Sequence, residues 1–195
     1  MTAAGRRLVL FDVDGTLVDS QDHIHAAMAH AFAVTGQVMP PRDEVLSIVG
    51  LSLAEAVARL LPGGGPDEQA EVVEAYKNSF GVMRAHSLSP LFPGARAALD
   101  ALAARDDLVL GVATGKSRRG LDHILAAHGL QGVFATCQVA DDHPSKPHPS
   151  MVRTALAEVG ADPAQSVMIG DTSFDMEMGR AAGGAARGGA GGYHP

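Results

Sequence analysis

The chain has 195 residues, of which 46% are hydrophobic and 19% charged, and its formal net charge is −7. This size and balance predict one or two globular domains and argue against a general nucleic-acid binder, which needs a basic surface. No apolar run reaches the roughly 18 residues of a membrane span, and the run at 8–11 is too short for a signal-peptide core. The single cysteine excludes an internal disulfide and a thiolate zinc cluster. We therefore expect a reduced, cytoplasmic protein with no nucleic-acid or membrane partner.

The first part of the chain predicts one buried strand followed by helices. Residues 8–11 form an apolar run that ends at Asp12, the pattern of a buried parallel strand with acids at its C-terminal end. Apolar residues then recur at helical spacing, and Ser52-Leu53-Ala54-Glu55 fits a capping box at the start of a further helix. Residues 20–86 therefore predict helices and no strand.

After residue 93 the pattern changes to helices that alternate with strands. The predicted elements are a helix at 95–104, a strand at 108–113, a helix around 121–128, a strand at 133–139, a helix at 149–159, a strand at 166–169 and a helix at 174–182. This alternation is typical of a parallel α/β sheet. The simplest architecture is an α/β core with an all-helical block inserted after the first strand.

Four loops carry polar residues just beyond the C-terminal ends of predicted strands, the edge at which open parallel sheets bind ligands. They are 12–16, 114–117, 145–147 and 170–175. Carboxylates without histidine or cysteine at ligand spacing suit a hard cation such as Mg²⁺. The lysine, hydroxyl and backbone amides of the same loops suit the oxygens of a phosphoryl group. The sequence therefore predicts a magnesium and phosphate site at this edge.

The first of these loops, Asp12-Val13-Asp14-Gly15-Thr16, resembles the first motif of the haloacid dehalogenase-like (HAD) hydrolase superfamily. The other three loops resemble the remaining motifs in the same order, and residues 6–183 as a whole are similar to the phosphoglycolate-phosphatase-like branch. The resemblance implies a Rossmann-like parallel-sheet core, residues 1–18 and 88–195. It also implies a small α-helical cap domain, residues 19–87, joined to that core by two hinges.

The resemblance also implies roles for the acidic residues. Asp12 would be the nucleophile that forms an aspartyl-phosphate. Asp14 would be the general acid for the leaving alcohol and then the base for water. Asp12, Asp171 and the backbone carbonyl of Asp14 would bind Mg²⁺. Asp175 would be an auxiliary acid that orients the metal site, although capping the last helix is an alternative for it.

Three further residues would bind the phosphoryl group. The resemblance implies that the Thr114 hydroxyl and the Gly115 amide contact its oxygens, and that Lys146 neutralises charge on both the nucleophile and the phosphate. The two-residue spacing of Asp12 and Asp14 is compatible with this chemistry, because alternate residues at a strand end point the same way. Lys116 and residues 118–119 are interpreted instead as the solvated start of a helix.

The function implied is a Mg²⁺-dependent phosphatase of a small phosphate monoester, with phosphoglycolate as the family-level substrate. Such a protein would act on a small phosphorylated metabolite as a monomer or small homo-oligomer. A sugar phosphomutase of the β-phosphoglucomutase kind is an alternative, although a histidine near position 24 and an arginine soon after position 52 are then expected, where Ile24, Leu53 and Ala54 stand. A third alternative is a binding protein that kept this fold without turnover.

The end of the chain departs from the family pattern. Relatives usually continue past Gly183 into a short apolar strand and a final helix. Here residues 183–195 contain six glycines and lack the β-branched residues typical of a strand. We expect a loose coil there and a missing strand at the edge of the sheet, with no catalytic motif removed.

Overall fold

The structure, a computed structural model, describes residues 7–189 and 192–193. Its centre is a five-stranded sheet in the order β3-β2-β1-β4-β5, in which all neighbouring strands are parallel. The strands are β1 (Arg7–Phe11), β2 (Leu108–Thr114), β3 (Thr136–Val139), β4 (Ser166–Gly170) and β5 (Ala185–Gly188). The predicted parallel α/β fold is therefore confirmed.

Helices alternate with the strands, apart from four that follow β1 together. They are α1 (Gln21–Val34), α2 (Arg42–Ser47), α3 (Leu53–Leu60), α4 (Pro66–His86), α5 (Ala95–Ala103), α6 (Arg118–Ala127), α7 (Ser150–Val159) and α8 (Ser173–Ala181), with short 3₁₀ turns at Ala140–Asp142 and Pro163–Gln165. In the described part of the chain, none of the helices combines the length and the hydropathy that a membrane span requires.

The central strand β1 is buried on both faces, which explains its unbroken apolar sequence. Leu8 and Leu10 lie in one core cluster with Met151 of α7. Val9 and Phe11 point to the opposite face and pack in a second cluster that includes residues of α5 and α6. Helices on both faces therefore hold the ends of the strands in fixed positions.

The helices α1 to α4 have an apolar core of their own, in which Phe32, Val57 and Val72 are buried. Two linkers join this block to the sheet and lie side by side. The amide of Asp19 donates to the carbonyl of Pro90, and the amide of Phe92 donates to that of Leu17, each at 2.9 Å. The division into residues 19–87 and the remainder stays a prediction.

The capping box predicted at Ser52 is not formed. The Ser52 side chain makes no capping hydrogen bond at the start of α3, and Glu55 instead pairs with Arg59 one turn later at 2.9 Å. The backbone amide of Ser52 instead donates to a residue distant in sequence, Ser145, whose Oγ lies 2.9 Å away. Tertiary contact with the loop after β3 thus replaces the local cap.

The prediction of a loose coil after residue 183 is wrong for residues 185–188, which form the edge strand β5. Its register pairs Val167 with Ala185 and Gly170 with Gly188. Because an edge strand needs only main-chain hydrogen bonds, small residues suffice here, and α8 packs closely enough to favour them. A Cβ at Gly179 of α8 would lie 3.3 Å from the Ala185 carbonyl oxygen. Residues 190–191 and 194–195 of the expected coil lie outside the described residues.

Candidate active site

Neighbouring strands bring the four polar loops to one edge of the sheet. Asp12 follows β1 directly, Thr114 is the last residue of β2, and Asp171 follows β4. Since β1 lies between β2 and β4, these three residues come from adjacent strand ends. Lys146 and Asp175 reach the same place from the loop before α7 and from the first turn of α8.

Asp12, Lys146 and Asp175 form a buried charged cluster in which each side chain is almost fully enclosed. Lys146 Nζ lies 2.8 Å from Asp12 Oδ1 and donates to Asp175 Oδ1 at 2.7 Å. Despite this proximity, neither Asp12 oxygen has a hydrogen-bond partner of ordinary geometry among the described residues. The cluster thus has two carboxylates for one ammonium group, and the carboxylate of Asp12 is the under-satisfied one.

Burial raises the pKa of Asp12 from 3.8 to about 8, with the nearby carboxylates of Asp175 and Asp14 adding to the effect and Lys146 opposing it. Burial alone would lower the pKa of Lys146, but its two carboxylate neighbours outweigh that effect and raise it. Lys146 therefore stays charged, but Asp12 shares this one positive charge with Asp175 and is not fully neutralised by it. A bound cation would supply the remaining positive charge.

The residues present fit a divalent cation. Carboxylate oxygens of Asp12, Asp171 and Asp175 lie within 4.8 Å of one another, and oxygen ligands of this kind suit Mg²⁺. Buried carboxylate oxygens without hydrogen-bond partners, as in Asp12, are suited to ligate a cation. Two of the predicted ligands, Asp12 and Asp171, thus lie together with Asp175, and their role as metal ligands stays a prediction.

We expect the metal-free protein to lose stability as the pH rises from about 4 to about 8. The unfolded chain releases the Asp12 proton near pH 3.8 while the folded chain holds it to about 8, so the folded state binds more protons in this window. Asp12→Asn removes that dependence. In EDTA, the melting temperature of Asp12→Asn should exceed that of the wild type by more at pH 8 than at pH 5. If the melting temperatures of Asp12→Asn and the wild type differ by the same amount at pH 5 and pH 8, the raised pKa of Asp12 is contradicted.

Asp171 is held from two sides. Thr16 Oγ1 donates to its Oδ1 at 3.2 Å, and the backbone amide of Tyr193 donates to its Oδ2 at 2.9 Å. Gly15, with a φ of +82°, passes so close that a Cβ there would lie 2.3 Å from Asp171 Oδ2. Burial raises the pKa of Asp171. The glycine of the first loop is thus required by its left-handed backbone and by this contact.

The two interpretations of Asp175 are not exclusive. Its Oδ2 accepts from the backbone amide and the hydroxyl of Thr172, at 3.2 and 2.8 Å, which completes a capping box at the start of α8. Its other oxygen accepts from Lys146. Asp175 therefore fixes the helix start and the lysine together.

Asp14 contacts Lys116, for which the sequence predicts a solvated position. Lys116 Nζ lies 2.9 Å from Asp14 Oδ1, and only 9% of the Lys116 side chain is exposed. The ammonium group also lies over the ring of Phe80 on α4, 5.2 Å from its centroid, and Ser20 Oγ donates to Asp14 Oδ1. The solvated interpretation of Lys116 is wrong, because a residue of the helical block covers it.

Thr114 and Gly115 line the same region. Thr114 is fully buried, and its Oγ1 accepts from the backbone amide of Lys116 at 3.2 Å. A Cβ at Gly115 would lie 2.4 Å from the carbonyl oxygen of Leu51, so the helical block approaches the core too closely here for any side chain. The binding of phosphate by Thr114 and Gly115 stays a prediction.

A cavity of about 580 Å³ lies between the helical block and the sheet edge. Its walls combine the polar residues Asp14, Lys116 and Arg119 with apolar residues that include Ile24 and Met28. Two features of the site, Tyr193 and the inward position of Lys116, are not among the sequence-based predictions. The available signals were the Gly-Tyr pair near the end of the chain and the placement of two of the three lysines in the predicted ligand loops.

The chain is similar in sequence and in structure to known hydrolases and phosphatases. The model of the family described as haloacid dehalogenase-like hydrolase matches residues 9–186. The chain is 36% identical over 193 residues to the probable phosphatase IndB of Dickeya dadantii, covering 96% of this chain and 82% of that one. It is 33% identical over 178 residues to the pyrophosphatase PpaX of Bacillus pumilus, covering 90% and 79%. Among solved structures, a predicted phosphoglycolate phosphatase from Haemophilus somnus 129pt superposes with a TM-score of 0.86 at 25% identity, covering 97% and 87%.

Proposed function

This chain belongs to the haloacid dehalogenase-like hydrolase family, and on that premise we propose that it is a Mg²⁺-dependent phosphatase of a small phosphate monoester. The observation that carries the proposal is the buried, under-satisfied carboxylate of Asp12, 2.8 Å from the Lys146 ammonium group and beside the carboxylates of Asp171 and Asp175. A nucleophile that attacks an anionic phosphoryl group needs such positive charge at its side.

In the proposed reaction, an oxygen of Asp12 attacks phosphorus and the bond from phosphorus to the ester oxygen breaks. Asp14 gives its proton to the leaving alcohol, and an aspartyl-phosphate remains on Asp12. Asp14 then takes a proton from water, whose oxygen attacks phosphorus and releases inorganic phosphate with Asp12 restored. Lys146 offsets the charge of nucleophile and phosphate throughout, while Thr114 and Gly115 hold the phosphoryl oxygens.

Asp12, Asp171 and the backbone carbonyl of Asp14 would hold Mg²⁺, with Asp175 orienting the site. When bound, the ion supplies positive charge that reduces repulsion between the carboxylate and the phosphoryl group and keeps them in line.

We also propose that residues 19–87 act as a cap domain that moves on the two linkers. The support is the position of the 580 Å³ cavity between the helical block and the sheet edge. Two further observations are the close approach of Gly115 to the Leu51 carbonyl and the hydrogen bond from the Ser52 amide to Ser145. A cap that closes over this cavity excludes water from the phosphoryl group and selects the substrate.

The proposed substrate class carries a second anionic group, as phosphoglycolate does. Lys116 is the cationic side chain beside Asp14, and it lies at the boundary between the cavity and the helical block. The phosphomutase alternative has less support, because Ile24 and Leu53 line the cavity where that branch is expected to place a histidine and an arginine.

The test is release of p-nitrophenol from p-nitrophenyl phosphate by purified protein, with Mg²⁺ and with EDTA. Mg²⁺-dependent release supports the phosphatase, and a panel of small phosphate esters then ranks substrates. If the folded protein hydrolyses no ester on the panel, the phosphatase proposal fails. Stimulation by a sugar bisphosphate would instead identify the mutase.

Lys116→Gln is expected to raise KM for 2-phosphoglycolate by about 10- to 100-fold and to change KM for p-nitrophenyl phosphate much less. The reason is that a hydrogen bond to a charged group contributes about 1.5–3 kcal/mol, and only the first substrate has a carboxylate to use it. Lys116→Arg keeps the charge and should restore most of the difference. Equal losses on both substrates would mean that Lys116 acts on Asp14 and does not recognise the second anion.

A further inference from the structure

Tyr193 lies where the candidate metal site and both linkers meet. Its backbone amide donates to Asp171 Oδ2 at 2.9 Å. Its hydroxyl oxygen accepts from the backbone amides of Ser20 and Gln21, at 2.7 and 3.0 Å. Its ring lies 6.5 Å, centroid to centroid, from the ring of Phe92 in the second linker. One residue thus contacts a proposed metal ligand, the start of the helical block and the return linker.

The amides that Tyr193 holds belong to the N-terminus of α1. The first amides of any helix have no partner within the helix and need one from elsewhere. Ser20 occupies the capping position, but its side chain accepts no amide hydrogen of the helix, and its hydroxyl donates to Asp14. The Tyr193 hydroxyl instead accepts from the amide of the capping residue itself and from the first amide of the helix. It stabilises this helix start from a position 172 residues further along the chain than Gln21.

The hydroxyl of Tyr193 uses its whole bonding capacity in this position. Burial raises its pKa, so it keeps its proton at neutral pH. While it accepts two amide hydrogens, it can donate that proton to Asp19 Oδ1 at 3.2 Å or to the Val18 carbonyl at 3.4 Å. Removal of the Tyr193 hydroxyl oxygen would therefore break every hydrogen bond that this side chain makes with the first linker and the start of α1.

The main chain before Tyr193 is pressed against Asp171. A Cβ at Gly192 would lie 1.9 Å from the Asp171 Cβ, so only glycine allows this approach. Tyr193 holds one oxygen of Asp171, and Thr16 holds the other. Neighbours that orient a metal-binding carboxylate contribute substantially to metal affinity.

From these contacts we propose that Tyr193 is a positioning residue that ties the Asp171 carboxylate to the start of the cap helix α1. Its ring and hydroxyl are anchored on the linkers, and this anchor places the backbone amide on Asp171. The metal site and the cap hinge are thereby coupled, so that a shift of α1 loosens Asp171. The inference rests on the proposed function, since it assigns Asp171 to the metal site and residues 19–87 to a moving cap.

The test compares Tyr193→Phe with Thr35→Val, a matched loss of one hydroxyl from the opposite end of the same helix. Thr35 Oγ1 donates to the Ala31 carbonyl at 2.8 Å, far along α1 from the linkers. Two readouts need no turnover. Hydrogen exchange followed by NMR reports the Ser20 and Gln21 amides, and calorimetric titration with MgCl₂ reports metal affinity.

Tyr193→Phe is expected to speed exchange at both amides by at least about tenfold and to weaken Mg²⁺ binding by about tenfold. Thr35→Val should leave both within about twofold of the wild type, since distant sites act independently. If either readout for Tyr193→Phe matches Thr35→Val, the coupling is overturned. If the wild type binds Mg²⁺ but hydrolyses no ester, while Tyr193→Phe still shows both expected differences from it, the phosphatase proposal is overturned and the coupling through Tyr193 stands.

Discussion

Asp12→Asn is expected to lower kcat for p-nitrophenyl phosphate by at least about 10³-fold, the scale seen when an enzyme loses its nucleophile. The amide has nearly the same shape as the carboxylate, so the buried cluster with Lys146 and Asp175 should stay folded. It cannot form the aspartyl-phosphate. Initial rates at saturating Mg²⁺, with circular dichroism to confirm folding, measure the effect.

The matched control is Asp162→Asn. Asp162 is an exposed residue whose Oδ1 accepts from the Ala164 amide at 2.8 Å at the start of a 3₁₀ turn, and asparagine keeps that acceptor. Its activity should equal that of the wild type. Substantial turnover by Asp12→Asn would contradict the nucleophile assignment, and an equal loss in both variants would indicate a general effect of the preparation.

Lys146→Met is expected to destabilise the protein by about 3–5 kcal/mol, the cost of leaving buried carboxylates without their partner. Lys146 is 1% exposed and is in contact with both Asp12 and Asp175. The same change should reduce kcat by at least about 10²-fold, because the phosphoryl group loses a preorganised positive charge. Urea unfolding in EDTA at neutral pH measures the first effect, and the p-nitrophenyl phosphate assay measures the second.

Lys77→Met provides the stability control for this experiment. Lys77 pairs with Glu74 at 2.6 Å on an exposed face of α4, where both side chains are more than half exposed. Ion pairs of that kind contribute about 0–1 kcal/mol. If the two variants lose similar amounts of unfolding free energy, the buried contacts of Lys146 do not stabilise the protein by the amount expected here. If Lys146→Met does not fold, Lys146→Arg provides the graded measurement.

The parallel core and the edge that carries the polar loops could be predicted from sequence because each depends on local pattern. The apolar run 8–11 ends at Asp12, and the run that forms β4 ends at Gly170 and Asp171, so strand and ligand are contiguous in the chain. Parallel strands place their C-terminal ends together. Once the alternation of strands and helices is recognised, the meeting of these loops follows from topology.

Lys116, Ser52 and β5 could not be predicted in this way, since each depends on a distant partner. Lys116 faces inward because Phe80 of α4 and Asp14 lie against it. The Ser52 amide is satisfied by Ser145 and not by a local cap. The strand β5 is formed by main-chain pairing with β4, and its side chains do not have the pattern by which a strand is predicted from sequence.

Local sequence patterns are enough to specify the fold class, the family and the identity of the charged groups at the sheet edge, because strand length, helix period and the motif loops are properties of neighbouring residues. The pairing of those groups, in contrast, depends on the tertiary structure. That structure leaves Asp12 short of a full counter-charge, places Asp175 between Lys146 and the start of α8, and brings Tyr193 onto Asp171 and the cap linker. Burial and pairing depend on residues far apart in the chain, so they arise only when the whole protein has folded.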